Sequence, residues 1–183
     1  DRAIELDPKY AWAIGSRGET YRLMERYDEA LADFDRAIEL DPNLAWAIGS
    51  RGETYRLMER YDEALANFDR AIELDPNLAW AIGSRGVTYR LMERYDEALA
   101  DFDRAIELDP KYAWAIGSRG QVYQAMGRYD EALADFDRAV ELELTDWRLY
   151  QLAITRRALD PASDWHNDLD RAITLEPIRK MLN

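Results

Sequence analysis

The chain has 183 residues, of which 24 are basic and 37 are acidic, so its formal net charge is −13. This negative excess disfavours a general binder of nucleic acids or of anionic membranes. The sequence has no cysteine and a single histidine, His166, which excludes disulfides, thiolate catalysis and cysteine-containing metal sites. It also shows no apolar run of membrane-spanning length and no signal-peptide pattern, and we expect a cytoplasmic protein without a cofactor.

The sequence repeats itself every 34 residues. The block DRAIELDP begins at Asp1, Asp35, Asp69 and Asp103, and a related block begins at Asp137. We therefore divide the chain into full repeats at 11–44, 45–78, 79–112 and 113–146, with a degenerate repeat and C-terminal cap at 147–183. Because the chain starts in mid-pattern and without Met, we expect residues 1–10 to be the tail of a truncated repeat. All of 1–183 is then one array.

Each repeat is predicted to contain two helices. In the first repeat, apolar and small residues at helical spacing predict one helix from about 11 to 24 and a second from about 28 to 40. We expect Asp28 and Glu29 to cap and charge the start of the second helix. Asp41 and Pro42 are expected to end it, because the residue before a proline is disfavoured in helical geometry.

The fifth repeat has drifted from this pattern, but it still predicts a pair of helices. Its first helix contains Leu149, Tyr150, Leu152, Ala153 and Ile154. Pro161 is expected to break that helix, and Ser163 or Asp164 to start the next. A single hairpin leaves apolar surface uncovered, so the hairpins must stack on one another. The sequence thus predicts an all-α solenoid of stacked helix hairpins.

The repeat resembles a known family. Six positions recur together in successive repeats, and in the first repeat they are Gly18, Tyr21, Ala30, Phe34, Ala37 and Pro42. This pattern is similar to the tetratricopeptide repeat, whose signature is W-x2-L-G-x2-Y followed by A-x3-F, A and P. Two positions depart from it, since Ile14 stands where the signature has Trp and Arg17 stands where it has Leu.

The resemblance implies a right-handed superhelix in which the first helices line a concave groove that holds peptides or extended protein segments. Carried over position by position, the groove residues are Trp12, Glu19, Arg22, Trp46, Glu53, Arg56, Trp80, Val87, Arg90, Trp114, Gln121 and Gln124. Charge supports this division, because residues 11–24 have a formal charge of +1 and residues 25–44 have −5. An acidic or mixed-charge segment is therefore compatible with the groove.

The run IGSRGETYR at Ile14 invites comparison with a phosphate-binding loop. Such a loop needs a strand before it and a helix start after it, whereas this run lies within a predicted helix. We interpret Gly18 as a position where a neighbouring helix approaches closely. Gly15 has two candidate roles, which are to make room for a ligand backbone or to make room for the adjacent Trp12.

The recurring arginines and tryptophans each have a structural and a binding interpretation. For Arg17, Arg51, Arg85 and Arg119, here called the GSRG arginines, we favour a structural role in which the guanidinium reaches a carboxylate or a helix-end carbonyl. Asp33 is one candidate partner of Arg17, although the second repeat has Asn67 there. The four tryptophans fit packing between repeats and anchoring of a bound chain equally well.

The third repeat is the part of the groove where affinity is expected first. Arg22 and Arg56 have a glutamate three residues earlier, at Glu19 and Glu53, whereas Arg90 has Val87 at that position. His166 is expected to lie on a helix surface or to pack in the cap. The acidic pairs recur in every repeat, which is typical of helix starts and not of a catalytic pair.

We therefore predict a non-enzymatic scaffold that binds an extended protein segment. The chaperone-tail subclass of the family uses Lys and Asn on the first helices, and this sequence has Gly, Ser, Glu and Trp there, so such tails are not expected. The alternatives are a self-associating spacer or the sensor arm of a larger bacterial regulator, and a consensus-like array without an evolved ligand. Self-association would join the nearly identical ends of the array or its grooves.

Overall fold

A computed structural model describes residues 2–174, and it is helical throughout this range, without strands. The helices are α1 (Arg2–Leu6), α2 (Ala11–Leu23), α3 (Tyr27–Leu40), α4 (Ala45–Leu57), α5 (Tyr61–Leu74), α6 (Ala79–Leu91), α7 (Tyr95–Leu108), α8 (Ala113–Ala125), α9 (Tyr129–Leu142), α10 (Asp146–Leu159) and α11 (Trp165–Thr174). The chain forms two compact units, Asp1–Met92 and Glu93–Asn183. Within each unit, consecutive helices pack against one another, which confirms the predicted succession of helix pairs.

The predicted cap of the second helix is wrong. α3 begins at Tyr27, one residue before Asp28, and Arg26 at the N-cap position makes no capping hydrogen bond through its side chain. Asp28 and Glu29 lie in the first turn, where their negative charges interact favourably with the helix dipole. The Glu29 carboxylate is occupied by Arg26, whose Nε donates to it over 3.0 Å. The predicted end is confirmed, because the helix stops at Leu40.

The turn between the two helices of a hairpin needs one residue with a positive φ. In the first three repeats this residue is a glutamate, and Glu25 has φ 58°. In the fourth repeat Gly127 takes the same place with φ 72°, a conformation that costs glycine little. The Arg26 amide then donates to the Tyr21 carbonyl over 2.9 Å, which closes the first helix.

Gly18 lies at the closest approach between α2 and α3. A Cβ at this position would lie 3.2 Å from the Ala30 carbonyl oxygen and 3.2 Å from the Phe34 ring. Ala30 and Phe34 are fully buried, and they form a core cluster with Ala47 of the next repeat. The predicted packing role of Gly18 is therefore confirmed, and the IGSRGETYR run lies within a helix.

The fifth repeat forms the predicted helix pair. Pro161 lies in the turn after α10, and α11 begins at Trp165, directly after Asp164. The Thr145 hydroxyl caps α10 by accepting a hydrogen bond from the Arg148 amide over 3.2 Å. His166 is exposed and stacks on the Trp165 ring at 3.6 Å, in agreement with the predicted surface position. The part of the predicted cap at 175–183 lies outside the described residues.

Candidate protein-binding surface

The predicted groove residues lie on the first helices of the hairpins, and we call them the front surface. In the first unit they are Trp12, Glu19 and Arg22 on α2, Trp46, Glu53 and Arg56 on α4, and Trp80, Val87 and Arg90 on α6. In the second unit they are Trp114, Gln121 and Gln124 on α8. Trp12 and Trp114 are exposed, and the other members of the front surface are half-buried.

Two tryptophans of the front surface, Trp46 and Trp80, pack against a glycine of the preceding repeat. The Trp46 ring lies over Gly15 of the preceding repeat, where a Cβ would come within 2.8 Å of it. Trp80 lies over Gly49 in the same way, at 2.6 Å. Gly15 therefore makes room for the tryptophan of the next repeat, and the suggestion that it accommodates Trp12 of its own repeat is wrong. A larger residue at the glycine would displace the indole.

Trp46 also belongs to a row of aromatic rings on the front surface, together with Tyr10 and Trp12. Tyr10 stacks on Trp12 with ring centroids 6.3 Å apart, and Trp12 lies 6.2 Å from Trp46. Trp12 is 55% exposed. The indole N–H of Trp46 is buried and has no hydrogen-bond partner within the described part of the chain. Packing and exposure thus coexist in one row, as half-buried tryptophans allow.

Two ion pairs lie beside this row. Arg22 donates through Nε to Glu19 over 3.0 Å, and Arg56 donates to Glu53 over 2.9 Å. The hydrogen bond that Arg22 donates to Glu19 raises the pKa of Arg22, and the charge of Glu53 in the next repeat adds to this effect. For Arg56 the bond with Glu53 raises the pKa most, while the charge of Arg22 opposes it. The two ion pairs therefore interact electrostatically, and together they carry no net charge.

In the second unit the front surface is uncharged. Trp114 lies 5.5 Å from Tyr112 and 6.5 Å from Phe102 between ring centroids. Gln124 is engaged within the unit, because its amide donates to the Thr155 hydroxyl over 3.0 Å. Gln121 is half-buried on the same helix. This part of the surface therefore presents aromatic rings and amides.

The sequence prediction missed Trp147, which is 40% exposed on α10. Its ring lies over Gly117, where a Cβ would be 3.5 Å away. The signal was a spacing, since Trp147 follows Gly117 by 30 residues, much as Trp46 follows Gly15 and Trp80 follows Gly49 by 31. The drift of the fifth repeat concealed this relation.

The GSRG arginines bind side chains of second helices, as predicted. Arg119 donates to Asp135 of its own repeat over 2.8 Å from Nε, and to Asp103 of the preceding repeat over 2.6 Å from Nη1. Arg51 donates to Asn67 over 2.8 Å and to Asp35 over 2.5 Å. One guanidinium thus joins the second helices of two consecutive repeats. The amide oxygen of Asn67 replaces the carboxylate of the other repeats.

The fifth repeat also places an arginine between two carboxylates, but from a different position along its first helix. Leu152 stands at the position of the GSRG arginines, and it is buried against Phe136. Arg156, one helical turn later, binds both Asp137 and the buried Asp168. Burial raises the pKa of Asp137, and the nearby Arg156 opposes that rise. An arginine between two carboxylates is therefore retained although its position along the helix has changed.

The described residues hold neither a cluster of metal-ligating side chains nor a membrane-spanning helix. Across residues 2–174 there is no group of three His, Asp or Glu side chains that would hold a metal ion. Within that range no helix has both the length and the apolar character needed to cross a membrane.

Comparison with solved structures shows that the fold has known relatives. The type IV pilus biogenesis factor PilW superimposes with a TM-score of 0.87 at 21% identity, covering 100% of this chain and 87% of its own. TTC0263 from Thermus thermophilus, described as a thermophilic TPR protein, has a TM-score of 0.80 at 21% identity and covers 94% and 95% of the two chains. YrrB, described as a TPR protein with an unusual peptide-binding site, has 0.69 at 25% identity and covers 98% and 93%.

A search of curated proteins gave no match to the chain, whereas a comparison with family models agrees with the structural one. The family model described as tetratricopeptide repeat matches residues 9–77, 43–111 and 77–142. These matches span most of the repeats whose hairpins, glycine contacts and recurring spacing are described above, and the chain is a member of the tetratricopeptide-repeat family.

Proposed function

We propose that this protein is a non-catalytic scaffold that binds an extended segment of another protein along its front surface. The observation that carries the proposal is the exposure of tryptophan on a first helix within the array, where Trp114 is 39% exposed. Tryptophan is usually highly buried, and exposed apolar patches mark interaction sites. The peptide-binding site ascribed to YrrB, which has the same fold, supports this interpretation.

Exposed leucines extend the apolar part of this surface. Leu23, Leu57 and Leu91 end the first helices of the three repeats in the first unit, and all three are exposed. Fully burying one leucine side chain contributes about 1.5–3 kcal/mol. Together with the tryptophan row, these leucines provide anchors for apolar side chains of a bound segment. The Glu–Arg pairs between them offer polar groups to its backbone.

The charge of the first helices bears on the charge of the partner. Residues 11–24 have a formal charge of +1, and α6 has Val87 where α2 and α4 have Glu19 and Glu53, so its front has one carboxylate fewer. We infer that the bound segment is acidic or of mixed charge. A chaperone C-terminal tail is not the proposed partner, because the first helices lack the Lys and Asn of that subclass.

The proposal is tested by selecting peptides from a random phage-displayed library on the purified chain and measuring their affinity. Leu91→Ser should weaken the selected peptides about tenfold or more, since a lost apolar anchor of about 1.4 kcal/mol is a factor of ten. Leu108→Ser is the matched control, because Leu91 and Leu108 are both 39% exposed but Leu108 ends a second helix. Trp80→Ala is a poorer probe, because it also removes the packing on Gly49.

Val87→Glu tests the charge of the partner separately. It gives α6 the same Glu–Arg spacing as α2 and α4, so acidic peptides should bind more weakly and neutral peptides should be unaffected. The scaffold proposal fails if no peptide is selected, or if the selected peptides respond equally to Leu91→Ser and Leu108→Ser. A uniform response of acidic and neutral peptides to Val87→Glu would contradict the inferred partner charge alone.

A further inference from the structure

The first helix of the fifth repeat has a stripe of side chains along one side, here called the α10 stripe, which consists of Trp147, Tyr150, Ile154 and Arg157. Its members follow one another at intervals of three or four residues. Ile154 is half-buried, and the other three are exposed. Arg157 follows Trp147 by ten residues, as Arg56 follows Trp46 in the second repeat. The α10 stripe is therefore the counterpart of the front surface in the fifth repeat.

Arg157 lacks the glutamate that neutralises its counterparts. In α4 the Glu53 carboxylate, three residues before Arg56, accepts a hydrogen bond from that arginine over 2.9 Å. In α10 the equivalent residue is Ile154. No carboxylate within the described range forms an ion pair with Arg157. The next acidic residue in the chain, Asp160, accepts a hydrogen bond from a backbone amide of the following turn over 2.9 Å. The charge of Arg157 is therefore not compensated by its own helix.

An aromatic ring holds the Arg157 guanidinium instead. The guanidinium lies over the Trp165 ring, 5.0 Å from the ring centroid. Trp165 is half-buried and begins α11. The N–H groups of a guanidinium lie in its own plane, so a contact with a ring face leaves them available for hydrogen bonds. Their fork matches the two oxygens of a carboxylate. The ring thus positions the arginine without neutralising it.

The α10 stripe adjoins the front surface of the second unit, which is uncharged. Trp147 lies over Gly117 of α8, and the Gln124 amide of α8 donates to the Thr155 hydroxyl of α10 over 3.0 Å. The α10 stripe adds two exposed aromatic rings and an aliphatic side chain before it reaches Arg157. A segment bound along these two helices therefore meets aromatic rings, amides and one arginine.

This arrangement defines where the acidic group of a bound segment would lie. Apolar side chains of the segment complement the rings, and a carboxylate complements the guanidinium. Tyr150 and Arg157 are seven residues apart, which is about 10 Å along a helix and about three residues of extended chain. We propose that an acidic side chain of the bound segment pairs with Arg157, about three residues from an apolar side chain that packs on Tyr150. This assignment rests on the proposed scaffold function.

The test uses two phage-displayed libraries of random peptides, one with all amino acids and one without Asp and Glu, each selected on the purified full chain. Arg157→Gln should weaken acidic peptides from the first library about tenfold or more, because a charge-assisted hydrogen bond is lost. Peptides from the second library should bind unchanged. Arg138→Gln is the matched control, since Arg138 is an exposed arginine on the second helix α9, and it should affect neither group.

Ile154→Glu neutralises Arg157 without removing it. The variant gives α10 the Glu–Arg spacing of α4, so acidic peptides should again bind about tenfold more weakly and peptides without acidic residues should not. Among the peptides that respond, an apolar residue should recur about three positions from the acidic one. A random spacing would contradict the place assigned to Tyr150.

A double-mutant cycle shows whether the pairing is direct. The acidic residue of a responding peptide is replaced by its amide, and this change combined with Arg157→Gln should weaken binding no more than either change alone. Full additivity would overturn the pair, as would acidic peptides that tolerate Arg157→Gln, and the scaffold proposal would stand without it. If neither library yields a binding peptide, the scaffold proposal fails and the pair fails with it.

Discussion

The structural role of the GSRG arginines can be tested by replacing two of them with leucine, the residue of the family signature. The two positions differ in whether the partner on the second helix is a carboxylate or a neutral amide. Arg119→Leu leaves Asp135 without its guanidinium, whereas Arg51→Leu leaves Asn67, which is neutral. Both substitutions also remove a pair with an exposed aspartate of the preceding repeat, Asp103 or Asp35. Leucine fits this environment, as Leu152 shows in the fifth repeat. The comparison therefore isolates the buried carboxylate.

The expected magnitudes follow from burial. The side chains of Arg119 and Asp135 are 19% and 7% exposed, and removing one partner of a buried pair costs about 3–5 kcal/mol. Arg51→Leu removes a hydrogen bond to a neutral amide, which is worth about 1 kcal/mol. The exposed pairs contribute about 0–1 kcal/mol in each case. Arg119→Leu should thus be more destabilising than Arg51→Leu by about 2–4 kcal/mol.

Native-state hydrogen exchange measures each effect where it occurs. Arg51 and Arg119 lie in different units, so the free energy of opening is compared for the amides of α5 in one variant and of α9 in the other. Adding Asp135→Asn to Arg119→Leu should recover most of the loss, because it removes the buried charge. Equal costs for the two leucine variants, or no recovery in the double variant, would refute the reasoning.

Three further predictions concern packing, capping and pH. Gly117→Ala should raise the free energy of unfolding by about 0.5–1 kcal/mol, since the new Cβ would lie at ordinary contact distances from its neighbours. Gly52→Ala should lower it, because the new Cβ would lie 3.2 Å from a backbone carbonyl oxygen. Shifts of Tm in the same direction for the two variants would contradict this. Thr145→Ala should cost about 1 kcal/mol in urea unfolding through loss of a cap, and an unchanged midpoint would show that the cap contributes nothing. The hydrogen bond from Arg128 lowers the pKa of Glu131, so this pair stabilises the fold above the unfolded pKa of about 4.3 and loses its effect as the pH falls through the lower folded value. Glu131→Gln should therefore flatten the dependence of Tm on pH in this acidic range, and an unaltered profile would count against the pair.

The repeat made most of the helix pairs predictable from the sequence. Gly18, Ala30 and Phe34 recur in every full repeat, and a recurring small residue opposite a recurring ring specifies a close helix pair. The helix start was predicted less well, because an acidic residue near a boundary fits both a cap and a first turn. The observed helix begins at Tyr27, and the Glu29 carboxylate in its first turn is bound by Arg26, a pair that the sequence did not single out.

The sequence by itself determined the repeat, the hairpin and the family, because these depend on spacings within one repeat and on its exact recurrence. Only the tertiary structure decided what Gly15 and the GSRG arginines contact. Gly15 meets a tryptophan of the next repeat, and Arg119 binds the second helices of two repeats at once. In an array of nearly identical repeats, the residue types that could contact a given side chain occur in every repeat. The packing of one hairpin on the next determines whether the contact is made within a repeat or with its neighbour.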